Sequence, residues 1–324
     1  MRRLPWLEVQ WYEKTTWLNY LIPLEKLFIV CTTIRRLSYQ LCAYKSTIPV
    51  WIIGNISVGG NGKTPFVIEM VRRIQAQGYR VQVIAHGYRA QLNQPVHICV
   101  RDSDPTDYGD EAVLLAHELD MPIIVAKKRA EAVQYIETHY PDTDVILCDD
   151  GLQHYQLGRH KELILIDKQR LGNQRCLPVG PLREPMSRLA QADLCLYRGT
   201  GVHSDIRYQI SHFLHIKSQK IVGIEPRSFK RVRAVAGIAN PERFFQSLED
   251  LELEVIRHVF PDHHDFQAED CFFGDDLPVL MTTKDAIKCQ GFAGDHCYAV
   301  VIELVLSPLA VTQINDLILT LAAS

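Results

Sequence analysis

The segment GNISVGGNGKTP, residues 54–65, decides how this chain is read. A short apolar run, IPVWII at 48–53, leads into it. Phe66, Val67, Met70, Val71 and Ile74 follow at helical spacing. Buried strand, glycine-rich turn and helix, in that order, make a phosphate-binding loop. Glycine lets backbone amides approach phosphate oxygens closely, and the positive helix N-terminus faces them. Lys63 is placed to neutralise the β- and γ-phosphates of a nucleoside triphosphate, and the Thr64 hydroxyl to ligate magnesium. Ser57, Val58, Gly59, Gly60, Asn61 and Gly62 complete the expected cradle. The strict pattern has glycine where Ser57 stands, so the other glycines must supply the freedom.

Outward from the loop, Gly78 closes the helix. Val81–Ala85 reads as a strand, 87–108 as a long polar connection, and Glu111–Leu119 as a helix. Pro122–Ala126 is extended and Arg129–His139 helical. Val145–Cys148 is a buried strand running into Asp149–Asp150, and Leu163–Asp167 is a further strand. This alternation predicts an α/β fold of the P-loop NTPase type, a mainly parallel sheet with helices on both faces. Ligands of such sheets lie beyond the carboxyl ends of the strands, where the loop, Asp149–Asp150 and Asp167 all fall. A strand ending in acid is the usual magnesium partner of such a loop, although adjacent aspartates also suit an exposed turn.

The stretch 172–190, rich in proline and arginine, reads as an ordered surface loop, with strands near 193–197 and 221–224. A second, smaller α/β unit follows: strand 232–236, helix 241–250, then strands 254–259, 278–282 and 298–304. An amphipathic helix closes it after Ser307–Pro308. The expected division is an N-terminal amphipathic segment at 1–40, a phosphate-loop core at 41–224, and a smaller domain at 225–324 closing over the site.

Composition bounds the function. The 324 residues, 47% hydrophobic and 23% charged, suffice for two domains with sizeable cores. A net charge of -3 gives no sign of nucleic acid as a partner. Nine cysteines, an odd count without a CxxC pair, read as reduced thiols of the cytosol. The start MRRLPWLEVQ lacks the h-region and cleavage site of a signal peptide. Residues 17–34, WLNYLIPLEKLFIVCTTI, are mostly apolar and precede Arg35–Arg36. Glu25, Lys26 and Pro23 argue against a spanning helix. An interfacial helix with its basic end on anionic lipid and a helix packed on the core both remain open.

Eight ordered segments carry a resemblance. They are GNISVGGNGKTP (54–65), HGYRA (86–90), YGDEAVLLA (108–116), DDGLQH (149–154), LPVGPLREP (177–185), VAGIANPERFF (235–245), FPDHHDF (260–266) and MTTKDA (281–286). With this spacing, from about residue 14 to 308, the chain resembles the tetraacyldisaccharide 4′-kinases of Gram-negative lipid A synthesis. The resemblance implies that ATP phosphorylates the 4′-hydroxyl of an acylated glucosamine disaccharide 1-phosphate, giving lipid IVA. It places the reaction at the cytoplasmic face of the bacterial inner membrane. It also implies Asp110 as the base, with His263 from the second domain as its helper. Glu111, Asp149 and Asp150 would serve magnesium, Gln153 and His154 would lie on the substrate side, and Arg183 would steady phosphate charge.

Each residue has a plainer reading: Asp110 and Glu111 suit any helix first turn, and His263–His264 suit a surface cluster. Three places depart from the family pattern. Ala85–His86 stand where Ser-Arg is common, Leu152 replaces phenylalanine, and Thr283 replaces glutamate. Lys284–Asp285 are open between a nucleotide contact and a structural role. A rival class is a membrane-associated P-loop ATPase switch working through protein partners. Such switches commonly carry an extra lysine early in the loop, and Ile52–Asn61 has none.

Overall fold

The structure is a computed structural model. It describes residues 9–13, 17–59, 62–87, 93–199, 204–224, 229–238 and 240–323. The expectations for Gly60 and Asn61 in the loop lie outside the described residues.

The first long element is helix α1 (Ile22–Leu41). Strand β1 (Val50–Gly54) is buried at every residue, which explains its unbroken apolar sequence. It lies between β5 (Val145–Asp149) and β6 (Lys161–Asp167), parallel to both. Beyond β5 come β2 (Val81–Ala85), β4 (Ile123–Ala126) and an antiparallel edge strand, β3 (Val96–Cys99). Helices α2 (Lys63–Ala76), α3 (Asp110–Leu119) and α4 (Arg129–His139) connect these strands. Beyond β6 the sheet continues through β7 (Leu194–Arg198) and β8 (Ile206–His215), with short β9 (Ile221–Val222) on β8.

The same sheet carries on into the second unit. Strand β8 pairs antiparallel with β13 (Cys297–Leu306), followed by β12 (Val279–Thr282), β10 (Arg231–Ala236) and β11 (Glu254–Val259). Helices α5 (Pro241–Glu249) and α6 (Thr283–Cys289) belong to this unit. Helix α7 (Pro308–Leu319) is capped by Ser307, whose side chain accepts from the Ala310 amide. It does not stay with its own unit. Ala310, Ile314, Leu317 and Ile318 pack with Trp51, Phe66, Met70 and Leu147 in the first unit's core. The second unit has its own clusters on the two faces of its sheet, one around Phe213, Phe245 and Leu280 and one around Phe266, Met281 and Cys297.

Four segments differ from expectation. The connection 87–108 contains β3, and α6 was not anticipated. Strand β8 escapes period-2 reading because a bulge, opposite Val301–Ile302, shifts its buried positions from Ile206 and Ile210 to Phe213. The stretch 172–190 is not a surface loop. Cys176, Val179, Leu182, Glu184 and Arg188 are all buried there, and the Arg188 guanidinium pairs with Glu162 and Glu184. All nine cysteines are free thiols.

Helix α1 packs on the core along one side. Glu25 is buried and bound by Arg175 at 2.6 and 2.9 Å and by the Cys176 amide at 2.8 Å. Phe28 and Ile29 pack on the core from that same side. At 100° per residue, Leu27, Val30, Ile34, Leu37 and Leu41 fall on the opposite side, and all are exposed. By length and composition Trp17–Tyr39 could cross a membrane.

Candidate active site

The loop begins where β1 ends. Buried Asn55 donates from Nδ2 to the Ser57 carbonyl at 3.0 Å and the Gly59 carbonyl at 3.4 Å. Segment 181–183 braces the same turn. The Val58 amide donates to the Pro181 carbonyl at 2.9 Å, and the Arg183 amide to the Ile56 carbonyl at 2.6 Å. Ser57 forms a single antiparallel bridge with Leu182 and is not left-handed. Its backbone therefore does not require the glycine of the strict pattern. Gly62 does require its own identity: φ is 70°, and a Cβ would lie 2.8 Å from the Arg198 guanidinium.

Lys63 opens α2, with Thr64 next in its first turn. Its ammonium lies 3.1 Å from Asp150 Oδ1 and 3.4 Å from Asn55 Oδ1. Asp149, at the end of β5, is buried, and its Oδ1 meets no hydrogen-bond partner. Burial pushes its carboxyl upward in pKa, the Glu111 charge adds to this, and Lys63 opposes it. Burial would also raise Asp150, but Lys63 and then Arg183 hold it below the usual carboxylate range. The Arg183 guanidinium is 4.0 Å from Asp150 Oδ2 and donates to Gln153 Oε1 at 3.4 Å.

Gln153 is largely spent on packing this corner, donating to Glu184 at 2.9 Å and to the Asn55 carbonyl at 3.3 Å. His154 lies beside His86, ring centroids 5.8 Å apart. Burial, then Arg129 and His86, push its pKa down to about 4, so it is neutral at pH 7. Buried Arg129 was not anticipated. Its guanidinium donates to the carbonyls of Ala85, Ala126 and Asp149 at 2.6, 3.2 and 2.9 Å, tying together the ends of β2, β4 and β5.

The second half of the site forms around Asp110. A single turn, Pro105–Tyr108, capped by Asp104, is joined to α3 through Gly109 at φ 88°. That left-handed joint lets Asp110 begin a new helix in a new direction. Asp110 Oδ2 faces three cations or donors from the second unit: His263 Nδ1 at 2.9 Å, Lys288 Nζ at 2.8 Å and Lys284 Nζ at 3.6 Å. Lys284 and Lys288 share one face of α6, which packs on α3. His263 sits at φ 62°, a conformation costing a non-glycine residue roughly 1 kcal/mol or more, and its amide donates to the Gly237 carbonyl at 3.1 Å. Burial would raise the Asp110 pKa. The hydrogen bonds from His263 and Lys288 and the charge of Lys284 outweigh it and hold the carboxyl well below its ordinary range.

Residues 17–319 match the family described as Tetraacyldisaccharide-1-P 4′-kinase. The chain belongs to this family. It is 41% identical over 305 residues to the tetraacyldisaccharide 4′-kinase of Methylobacillus flagellatus, covering 90% of this chain and 89% of that one. It is 40% identical over 307 residues to the enzyme of that name from Pseudomonas aeruginosa PAO1, covering 92% of each. LpxK of Aquifex aeolicus, solved in complex with ATP, shares the fold with a TM-score of 0.77 at 24% identity, covering 94% of this chain and 99% of that one. Membership in the 4′-kinase family makes the chain a kinase of lipid A synthesis and sets aside the ATPase-switch reading. Three of the segments quoted above meet across the units here, those holding Asp110, His263 and Lys284.

Proposed function

We propose that the chain transfers the γ-phosphate of ATP to the 4′-hydroxyl of a tetraacylated glucosamine disaccharide 1-phosphate, with Asp110 as the base. The observation that carries this reading is the meeting of Asp110 with His263, Lys284 and Lys288 from the second unit. In the step, the 4′-oxygen attacks the γ-phosphorus in line, its proton passes to the Asp110 carboxylate, and the bond to the β-phosphate oxygen breaks, releasing ADP. His263 orients Asp110 through their hydrogen bond. The lysines keep Asp110 ionised but weakly basic, and drawing one of them toward incoming phosphate raises its basicity. Lys63 and Arg183 offset the charge that develops on the transferred group.

Magnesium fits the donor side. Asp149 has an unpartnered, buried carboxylate oxygen beside Asp150 and within electrostatic reach of Glu111. Among the described residues no three His, Cys, Asp or Glu side chains gather as a self-contained metal site. The ion would therefore be shared between Thr64, the aspartates, Glu111 and ATP, neutralising phosphate charge. Ser57–Thr64 would cradle the triphosphate, and Gln153 and His154 would border the acceptor. The exposed face of α1 suits a membrane surface, and the acceptor's lipid nature suits the cytoplasmic leaflet of the inner membrane. On this reading 1–40 docks to lipid, 41–224 binds ATP and 225–324 closes over it.

The test is transfer of labelled γ-phosphate from ATP to the tetraacyldisaccharide 1-phosphate in detergent. Intact ATP binding without a phosphorylated lipid product sinks the proposal.

A further inference from the structure

Three arginines crowd the far side of the phosphate loop. Arg170 follows β6, Arg198 ends β7, and Arg243 comes from α5 of the second unit. A buried carboxylate serves two of them. Asp167, 1% exposed, accepts from Arg243 at 2.7 Å and lies 4.0 Å from Arg198. Arg198 stacks over Tyr208 at 4.2 Å, and the Tyr208 hydroxyl donates to the Gly62 carbonyl at 2.6 Å. The guanidinium groups of Arg170 and Arg198 press on loop glycines. A Cβ on Gly59 would lie 2.3 Å from Arg170, and one on Gly62 2.8 Å from Arg198.

This arrangement is electrostatically incomplete. Burial, then Arg243, push the Arg198 pKa down to about 10, and Arg170 adds to the repulsion. Clustered, partly buried cations are costly unless paired. Beyond the carboxyl ends of β6 and β7, next to β1, is also where ligands of parallel sheets lie. The guanidinium fork matches phosphate bidentately.

We propose that Arg170 and Arg198 form a second phosphate-binding site beside the loop, with Arg243 and Asp167 tying it to the second unit. The phosphate comes either from the nucleotide or from the 1-phosphate of the acceptor. The inference rests on the kinase reading above.

Arg170→Gln, Arg198→Gln and Lys63→Ala variants of the full chain are compared for equilibrium binding of labelled ATP and for KM of the lipid. Thermal melting with and without inorganic tripolyphosphate confirms folding and reads anion binding without a base. A weakening of ATP affinity by about tenfold or more in the arginine variants, with a reduced tripolyphosphate shift, assigns the site to the nucleotide. Unchanged ATP affinity with a similar rise in lipid KM assigns it to the acceptor's phosphate. Unchanged ATP affinity and lipid KM in both arginine variants overturn the proposal. If Arg198→Gln melts without ligand, Arg170→Gln decides by the same criteria. Lys63→Ala separates the failures: if it too binds ATP as wild type does, the phosphate-loop reading falls, and otherwise only the second site does.

Discussion

The two halves of the site are built on opposite plans. The donor half is local: twelve consecutive residues, 54–65, form the loop, and neighbouring strands β1 and β5 bring Lys63 to Asp150. The proposed acceptor half is remote. Asp110 meets His263 across 153 positions in the chain, and Lys288 arrives from helix α6 of the second unit. The loop keeps its shape through its own hydrogen bonds, the brace of segment 181–183 and one core. The Asp110 cluster exists only while two units hold their relative placement. ATP binding should therefore survive damage that abolishes transfer, and the reverse should not occur.

Asp110→Ala is the sharpest way to break this contrast. Turnover should fall about 10³-fold while ATP affinity stays within a few-fold of wild type, measured by steady-state transfer and equilibrium binding. Turnover near the wild-type value removes Asp110 as the base. Lys63→Ala should lower turnover by about 10²-fold or more and weaken ATP binding as well, because it strikes the local half. Binding and turnover that both persist would break the donor assignment. His263→Ala should cost roughly 10-fold to 10²-fold in kcat with little change in ATP affinity, since Asp110 keeps its lysines. A loss confined to ATP binding would contradict the separation of the halves.

The smallest effect concerns pH. Asp110 is held below its ordinary value of 3.8, so it binds fewer protons folded than unfolded. Its ionised form stabilises the fold above the unfolded value, and that contribution is lost as pH falls through the folded one. Acid unfolding of Asp110→Asn should therefore show a shallower loss of stability below about pH 4 than wild type. Parallel curves for the two proteins would mean that the cluster contributes no linkage.

This contrast also explains what could be read from the sequence. Strand β1, helix α2 and the Asp149–Asp150 strand end are short-range patterns, and each appears within a few residues of its expected place. Asp110 and His263 were nameable only through the family's segments, because no local rule joins positions so far apart. Lys288 carried a faint signal, lying four residues after Lys284 on a short helix. Asn55 and Arg129 act through backbone carbonyls, which leave no pattern of partner residues to find. Ser57 looked like a defect in the motif until its bridge to Leu182 replaced a glycine turn. The bulge in β8 hid a ten-residue strand by breaking its alternation.

Helix α7 has a consequence for how this protein comes to exist. Its Ile314 and Ile318 fill the same interior as Phe66 and Met70 of the helix behind the phosphate loop. Contacts so distant along a chain form late and slowly. During translation, then, the nucleotide-binding half must wait, incompletely packed, until the polypeptide has been made through Ile318. The part of the enzyme encoded first is among the last to be finished.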